Sequence, residues 1–193
     1  MLGLKLPTDP RWVNIVEKSI EEILVDHAYC EQKAATTCIS LILQYPEKEL
    51  LVETLSPIVT EEWGHFRMVL RELKKRGYPL GRKRNDIYVV KLMELERKGD
   101  KKERQLMDKL LISALIEARS CERFRLLSEN ISDDSLKEFY RELMISEAGH
   151  YRTFLDLAKE YMPESVVKER WQEMLDAEAE IIKGLELRGD RIH

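Results

Sequence analysis

A chain of 193 residues with 44% apolar and 35% charged residues, but only 8 glycines and 6 prolines, can bury one core and is too poor in turn formers for a sandwich or barrel. No apolar run approaches a membrane span, and residues 1–10, MLGLKLPTDP, lack the apolar core and small-residue cleavage site of a signal peptide, so a cytoplasmic protein is expected. The net charge of −4 hides an asymmetry: residues 67–104 hold 14 Lys/Arg and 6 Asp/Glu, a local +8 against −12 for the remainder, which marks a candidate surface for a polyanion.

Apolar residues recur at helical spacing almost throughout, and no stretch alternates like a strand. A first helix is expected from about Asp9 to Gln44, ended by Tyr45-Pro46. A second runs from about Lys48 to Arg76 and stops at Gly77. Residues 77–102 form a long connection with a short helix over Asp86–Arg97. A third helix spans Glu103 to Asn130, and Ser132-Asp133 caps a fourth that reaches Tyr161. A fifth, Glu164 to Leu187, reads as a packing element without chemistry. The order of hairpin, long crossover, hairpin and extra helix is that of a ferritin-like four-helix bundle, and 1–193 is expected to be a single domain.

Each of the four main helices carries a glutamate in its apolar stripe: Glu31, Glu62, Glu117 and Glu147. Ionised carboxylates facing a core are prohibitively costly unless neutralised, and two divalent metals would balance all four. His65 and His150 follow Glu62 and Glu147 by three residues, in E-W-G-H and E-A-G-H, so each pair shares a helix face. With turns near 46–47 and 131–132, all four glutamates lie about fourteen or fifteen residues from their turn, at one height in the bundle. Glu122, the rival to Glu117, falls short of that layer by more than a helical turn. The metal ligands are therefore expected to be Glu31, Glu62, His65, Glu117, Glu147 and His150, a set that suits iron or manganese. His27, one turn before Glu31, is a candidate support or ligand. Asp26 and Arg119 are candidates for orienting the ligands, and His193 is expected to carry no role. Cys30, Cys38 and Cys121, without a CxxC pair, argue for reduced, buried thiols.

The stretches VDHAYCEQKAATTCISLI, LSPIVTEEWGHFRMVLRELKKRGY, LLISALIEARSCERFRLL and FYRELMISEAGHYRTFLDLA resemble the tRNA hydroxylase family often called MiaE, over about residues 20 to 160. The resemblance implies a ferritin-like non-haem di-iron monooxygenase, with its ligands on the six positions above. It would use O2 as co-substrate to hydroxylate the isopentenyl group of a hypermodified adenosine beside the tRNA anticodon. No flavin or iron–sulfur motif is present, so the electrons would come from an external electron-transfer protein. The resemblance also gives the basic segment 67–104 a partner: Lys74, Lys75, Arg76, Arg82, Lys83 and Arg84 would meet tRNA phosphates. A ferroxidase or peroxide scavenger of ferritin or rubrerythrin type needs the same ligands and is the alternative, although no rubredoxin-like CxxC pair occurs. A non-catalytic helical interaction protein would leave the buried charges unexplained.

Overall fold

The computed structural model describes residues 2–83 and 85–193. Seven helices follow in chain order: α1 (Arg11–Val16), α2 (Ile20–Gln44), α3 (Glu49–Lys75), α4 (Ile87–Met93), α5 (Lys102–Asn130), α6 (Asp134–Tyr161) and α7 (Glu164–Lys183). Among the described residues there is no strand. The order is hairpin α2–α3, a crossover carrying α4, hairpin α5–α6, then α7, as in a ferritin-like bundle with one long crossover.

The ends of the helices have local causes. α3 closes with Tyr78 N–H donating to Leu73 O at 2.9 Å and Gly77 N–H to Lys74 O at 3.1 Å, the paired bonds of a Schellman cap. That cap needs a left-handed residue, and Gly77 supplies it at φ 75°. Asp86 caps α4 by accepting from Val89 N–H at 3.1 Å, and Asp133 caps α6 by accepting from Leu136 N–H at 3.0 Å. α4 ends at Met93 rather than Arg97, and α7 at Lys183 rather than Leu187.

The chain divides into two compact units. One comprises Ile15–Asn85 and Arg188–Ile192 and contains the α2–α3 hairpin. The first helix expected from the sequence is broken in two at Glu17–Ser19, at the start of this unit. There Lys18 N–H and Ser19 N–H bond back to Ile15 O and Val16 O as a tight turn, and Ser19 Oγ lies 3.4 Å from Gly189 O. The returning residues 188–192 cause the break to be filled rather than wasted. A side chain at Gly189 would come within 2.6 Å of the Ile15 backbone, and Ile192 N–H donates to Asp26 Oδ2 at 2.8 Å. Asp26 thus anchors this tail.

The other unit comprises the N-terminal residues to Asn14, Asp86–Leu187 and His193. α5 is its central helix and is buried on every side, from Leu106, Leu110 and Phe124 on one face to Asp108, Arg119 and Arg123 on others. Charges in such a place must be paired. Asp108 accepts from Arg97 Nη2 at 2.8 Å and from Arg170 Nε at 3.0 Å. Arg119, fully buried, donates to Glu178 of α7 through Nη2 at 2.7 Å, to Leu6 O at 2.9 Å and to Glu122. Arg119 and Glu178 are braces between elements. The expectation that Arg119 orients a ligand is corrected here, and α7 contributes a buried charge, not packing alone.

Candidate metal centre

In the α2–α3 hairpin, spacing of three and four residues turns Leu24, His27, Glu31, Ala35 and Cys38 inward on α2, and Leu55, Ile58, Glu62, Phe66 and Val69 on α3. Glu31 and Glu62 are 3% and 1% exposed, and His65 is 9%. Ligand atoms of these three residues lie within 4.8 Å of one another. His65 Nδ1 stands 3.4 Å from Glu31 Oε2 and 3.6 Å from Glu62 Oε2. His27, fully buried, reaches Glu31 Oε1 through Nε2 at 2.6 Å. An ionised carboxylate only accepts, so the imidazole N–H donates and holds Glu31 in place.

The α5–α6 hairpin repeats the arrangement. Glu117, Glu147 and His150 are buried and also place ligand atoms within 4.8 Å of one another. His150 Nδ1 lies 3.4 Å from Glu147 Oε2. The position one turn before Glu117 is Ser113, so this half has no equivalent of His27. Glu122 belongs elsewhere: it accepts from Thr8 N–H at 2.9 Å and Thr8 Oγ at 2.7 Å and pairs with Arg119.

Two carboxylates and an imidazole gathered inside one hairpin carry a net charge near −2, which one divalent cation offsets. Oxygen donors with a single nitrogen donor suit iron or manganese rather than a thiophilic metal. The thiols nearby take no part as anions. Burial, and then the negative charge of Glu62, pushes the Cys38 thiol up to about 12. Burial with Glu147 pushes Cys121 up to about 11. Cys38 and Cys121 are free and buried as expected, while Cys30 is half-buried.

One residue dismissed from the sequence has a defined place. His193 is 8% exposed, sits between Asp86 Oδ2 at 3.0 Å and Ser120 Oγ at 2.8 Å, and stacks on Tyr88. No local pattern signals this, because its partners lie 107 and 73 residues away.

The sequence profile of a family described as tRNA-(MS[2]IO[6]A)-hydroxylase (MiaE) matches residues 2–193. The chain belongs to the MiaE family. A tRNA 2-(methylsulfanyl)-N(6)-isopentenyladenosine(37) hydroxylase of Pseudomonas putida is 38% identical over 180 residues, covering 93% of this chain and 86% of that protein. The Salmonella typhimurium protein of the same name is 26% identical over 212 residues, covering 84% and 77%. Among solved structures, a Synechococcus protein with aldehyde deformylating oxygenase activity superposes with a TM-score of 0.93 at 35% identity, over 98% of this chain and 94% of that one. The chain is thus all-α and ferritin-like, a four-helix bundle with one long crossover and an extra C-terminal helix.

Proposed function

We propose that this chain hydroxylates the isopentenyl group of a 2-methylthio-N6-isopentenyladenosine next to the tRNA anticodon, as a non-haem di-iron monooxygenase. The observation that carries this reading is the pair of buried Glu–Glu–His triads, one in each hairpin of a chain that belongs to the MiaE family along its length. In this reading Glu31, Glu62 and His65 in one hairpin, and Glu117, Glu147 and His150 in the other, hold the two iron ions.

When bound, the iron pair supplies activation of O2: one oxygen atom enters a C–H bond of the prenyl group, and the other leaves as water with two electrons from an external electron-transfer protein and two protons. The protein's own residues bind, orient and exclude water. The His27 N–H fixes the Glu31 carboxylate at a set angle. In the α2–α3 hairpin the buried Ala35, Ile58, Phe66 and Val69 lie four or seven residues from Glu31 or Glu62, on the same helix faces, and the buried Phe124, Leu143 and Phe154 lie likewise with respect to Glu117 and Glu147. Such walls suit an apolar prenyl tail and keep bulk water off the reacting carbon. No helix of the described residues is long and apolar enough to cross a membrane.

The test uses iron-loaded protein, a chemical reductant, O2 and tRNA carrying the prenylated adenosine, followed by digestion and mass spectrometry of the nucleosides. A prenyl adenosine heavier by one oxygen is expected, and its formation is lost in Glu62→Ala and His150→Ala. An unchanged nucleoside beside rapid O2 or peroxide consumption would replace this reading with the ferroxidase or scavenging one.

A further inference from the structure

Trp63 is 47% exposed on α3, immediately after the buried Glu62. Single exposed apolar residues are ordinary, but this one is mounted. Its indole rests on Phe66, which is only 7% exposed, with ring centroids 4.9 Å apart and planes at 40°. Phe66 thereby backs the indole and limits its freedom while leaving about half of it open. Beside it, Gly64 presents bare helix backbone, and a Cβ there would meet nothing within 4 Å.

Arg67, Arg71 and Lys74 follow Trp63 at four, eight and eleven residues, which places all four on one face of the helix, and all three cations are exposed. Some surface cations are matched by a neighbour, as Arg11 is by Asp9, Arg125 by Glu129, Arg141 by Glu138 and Lys159 by Asp156, and others, Arg82, Lys83 and Arg152 among them, are not. Among the described residues, Arg67, Arg71 and Lys74 have no ion pair. Cations in the last turn of a helix offset its dipole, which accounts for Lys74 and Lys75. That effect fades within a turn, so it does not account for Arg67, nor for an exposed indole in line with it.

An aromatic face flanked by unmatched guanidinium groups is the chemistry of single-stranded nucleic-acid binding, in which a base stacks on the ring and the phosphates meet the cations. We propose that Trp63 stacks an unpaired base of the tRNA anticodon loop while Arg67, Arg71 and Lys74 grip the adjoining phosphates. This rests on the tRNA hydroxylase reading. It makes Trp63 a positioning residue: the stripe begins at the height of Glu62, so an RNA strand held on it runs past the level of that carboxylate.

The test measures affinity of the iron-loaded enzyme for an anticodon stem-loop RNA by fluorescence anisotropy across a salt series, alongside hydroxylation of the prenylated RNA. Trp63→Ala should weaken binding roughly ten-fold, the loss of one base stack, with an unchanged salt slope. Trp63→Phe should recover most of that loss. Arg67→Ala/Arg71→Ala should weaken binding and lower the slope by about 0.7 per cation removed. In Trp63→Ala the KM for RNA should rise with kcat retained at saturating RNA and iron content unchanged. If the wild type binds and hydroxylates the RNA while Trp63→Ala and the double arginine variant match it, the platform is wrong and the hydroxylase reading stands. If the wild type neither binds nor hydroxylates it, both are wrong.

Discussion

His27 and Glu31 show how a proposed metal ligand is held in place by the protein itself. The 2.6 Å contact lies wholly inside the core, where no water competes, so the imidazole sets the carboxylate's direction. His27→Ala should therefore lower iron affinity by about 10- to 100-fold while leaving the helical content intact, measured by anaerobic Fe(II) titration and circular dichroism. A different fate awaits the Arg119–Glu178 pair, with both side chains fully buried. Glu178→Ala removes one of the two carboxylates paired with the buried Arg119, leaving Glu122, and should cost about 1.5–3 kcal/mol in urea unfolding. The thiols separate by exposure: a thiol reagent at pH 8 should modify the half-buried Cys30 first, because burial holds Cys38 and Cys121 well above that pH as protonated thiols.

At the scale of elements, glycine marks where the helices tolerate change and where they do not. Gly149 lies within α6, is exposed, has no positive φ, and would meet nothing with a Cβ added. Gly149→Ala should stabilise the metal-free protein by about 0.4–1 kcal/mol in thermal unfolding, through the entropy of the unfolded chain. Gly189→Ala should do the reverse, since its Cβ would strike the Ile15 backbone. Asp108 ties α5 and α7 to the segment after α4. Burial alone would raise its carboxyl, but hydrogen bonds from Arg97 and Arg170 win and hold it below the ordinary carboxylate range. A depressed folded pKa means the unfolded chain takes up the proton first. The pair's stabilisation is full above the unfolded value of about 3.9 and is lost as pH falls through the folded one. Asp108→Asn should flatten that acid limb in pH-dependent urea unfolding. The α1–α2 break had a local signal, the S-x-x-E pattern of Ser19 to Glu22, but helical periodicity on both sides obscured it.

For the whole molecule, the charge asymmetry resolves into two kinds of cation. Arg97 and Arg104 of the basic segment serve internal pairs with Asp108 and Asp100, whereas Arg67, Arg71, Lys74, Arg82 and Lys83 have no ion pair among the described residues. Arg84, named with them from the sequence, lies outside the described residues. Fe(II) should raise the melting temperature by mass action, and Glu62→Ala or Glu147→Ala, each in a different hairpin, should each abolish much of the rise.

What the sequence determined by itself was whatever repeats at short range. The helices, their pairing into hairpins around a crossover, and the glutamates and histidines turned to one face all follow from a period near 3.6 and from turn residues at defined places. Each hairpin does bring its two glutamates and its histidine together. Only the tertiary structure decided which other buried charges are braces and which stand among the candidate ligands. Arg119 meets Glu178 across 59 residues of chain, and Asp26 meets Ile192 across 166. On α5, buried all round, the helical period assigns a residue to a face but not to a partner. That assignment depends on which distant element covers the face, and no local pattern encodes it.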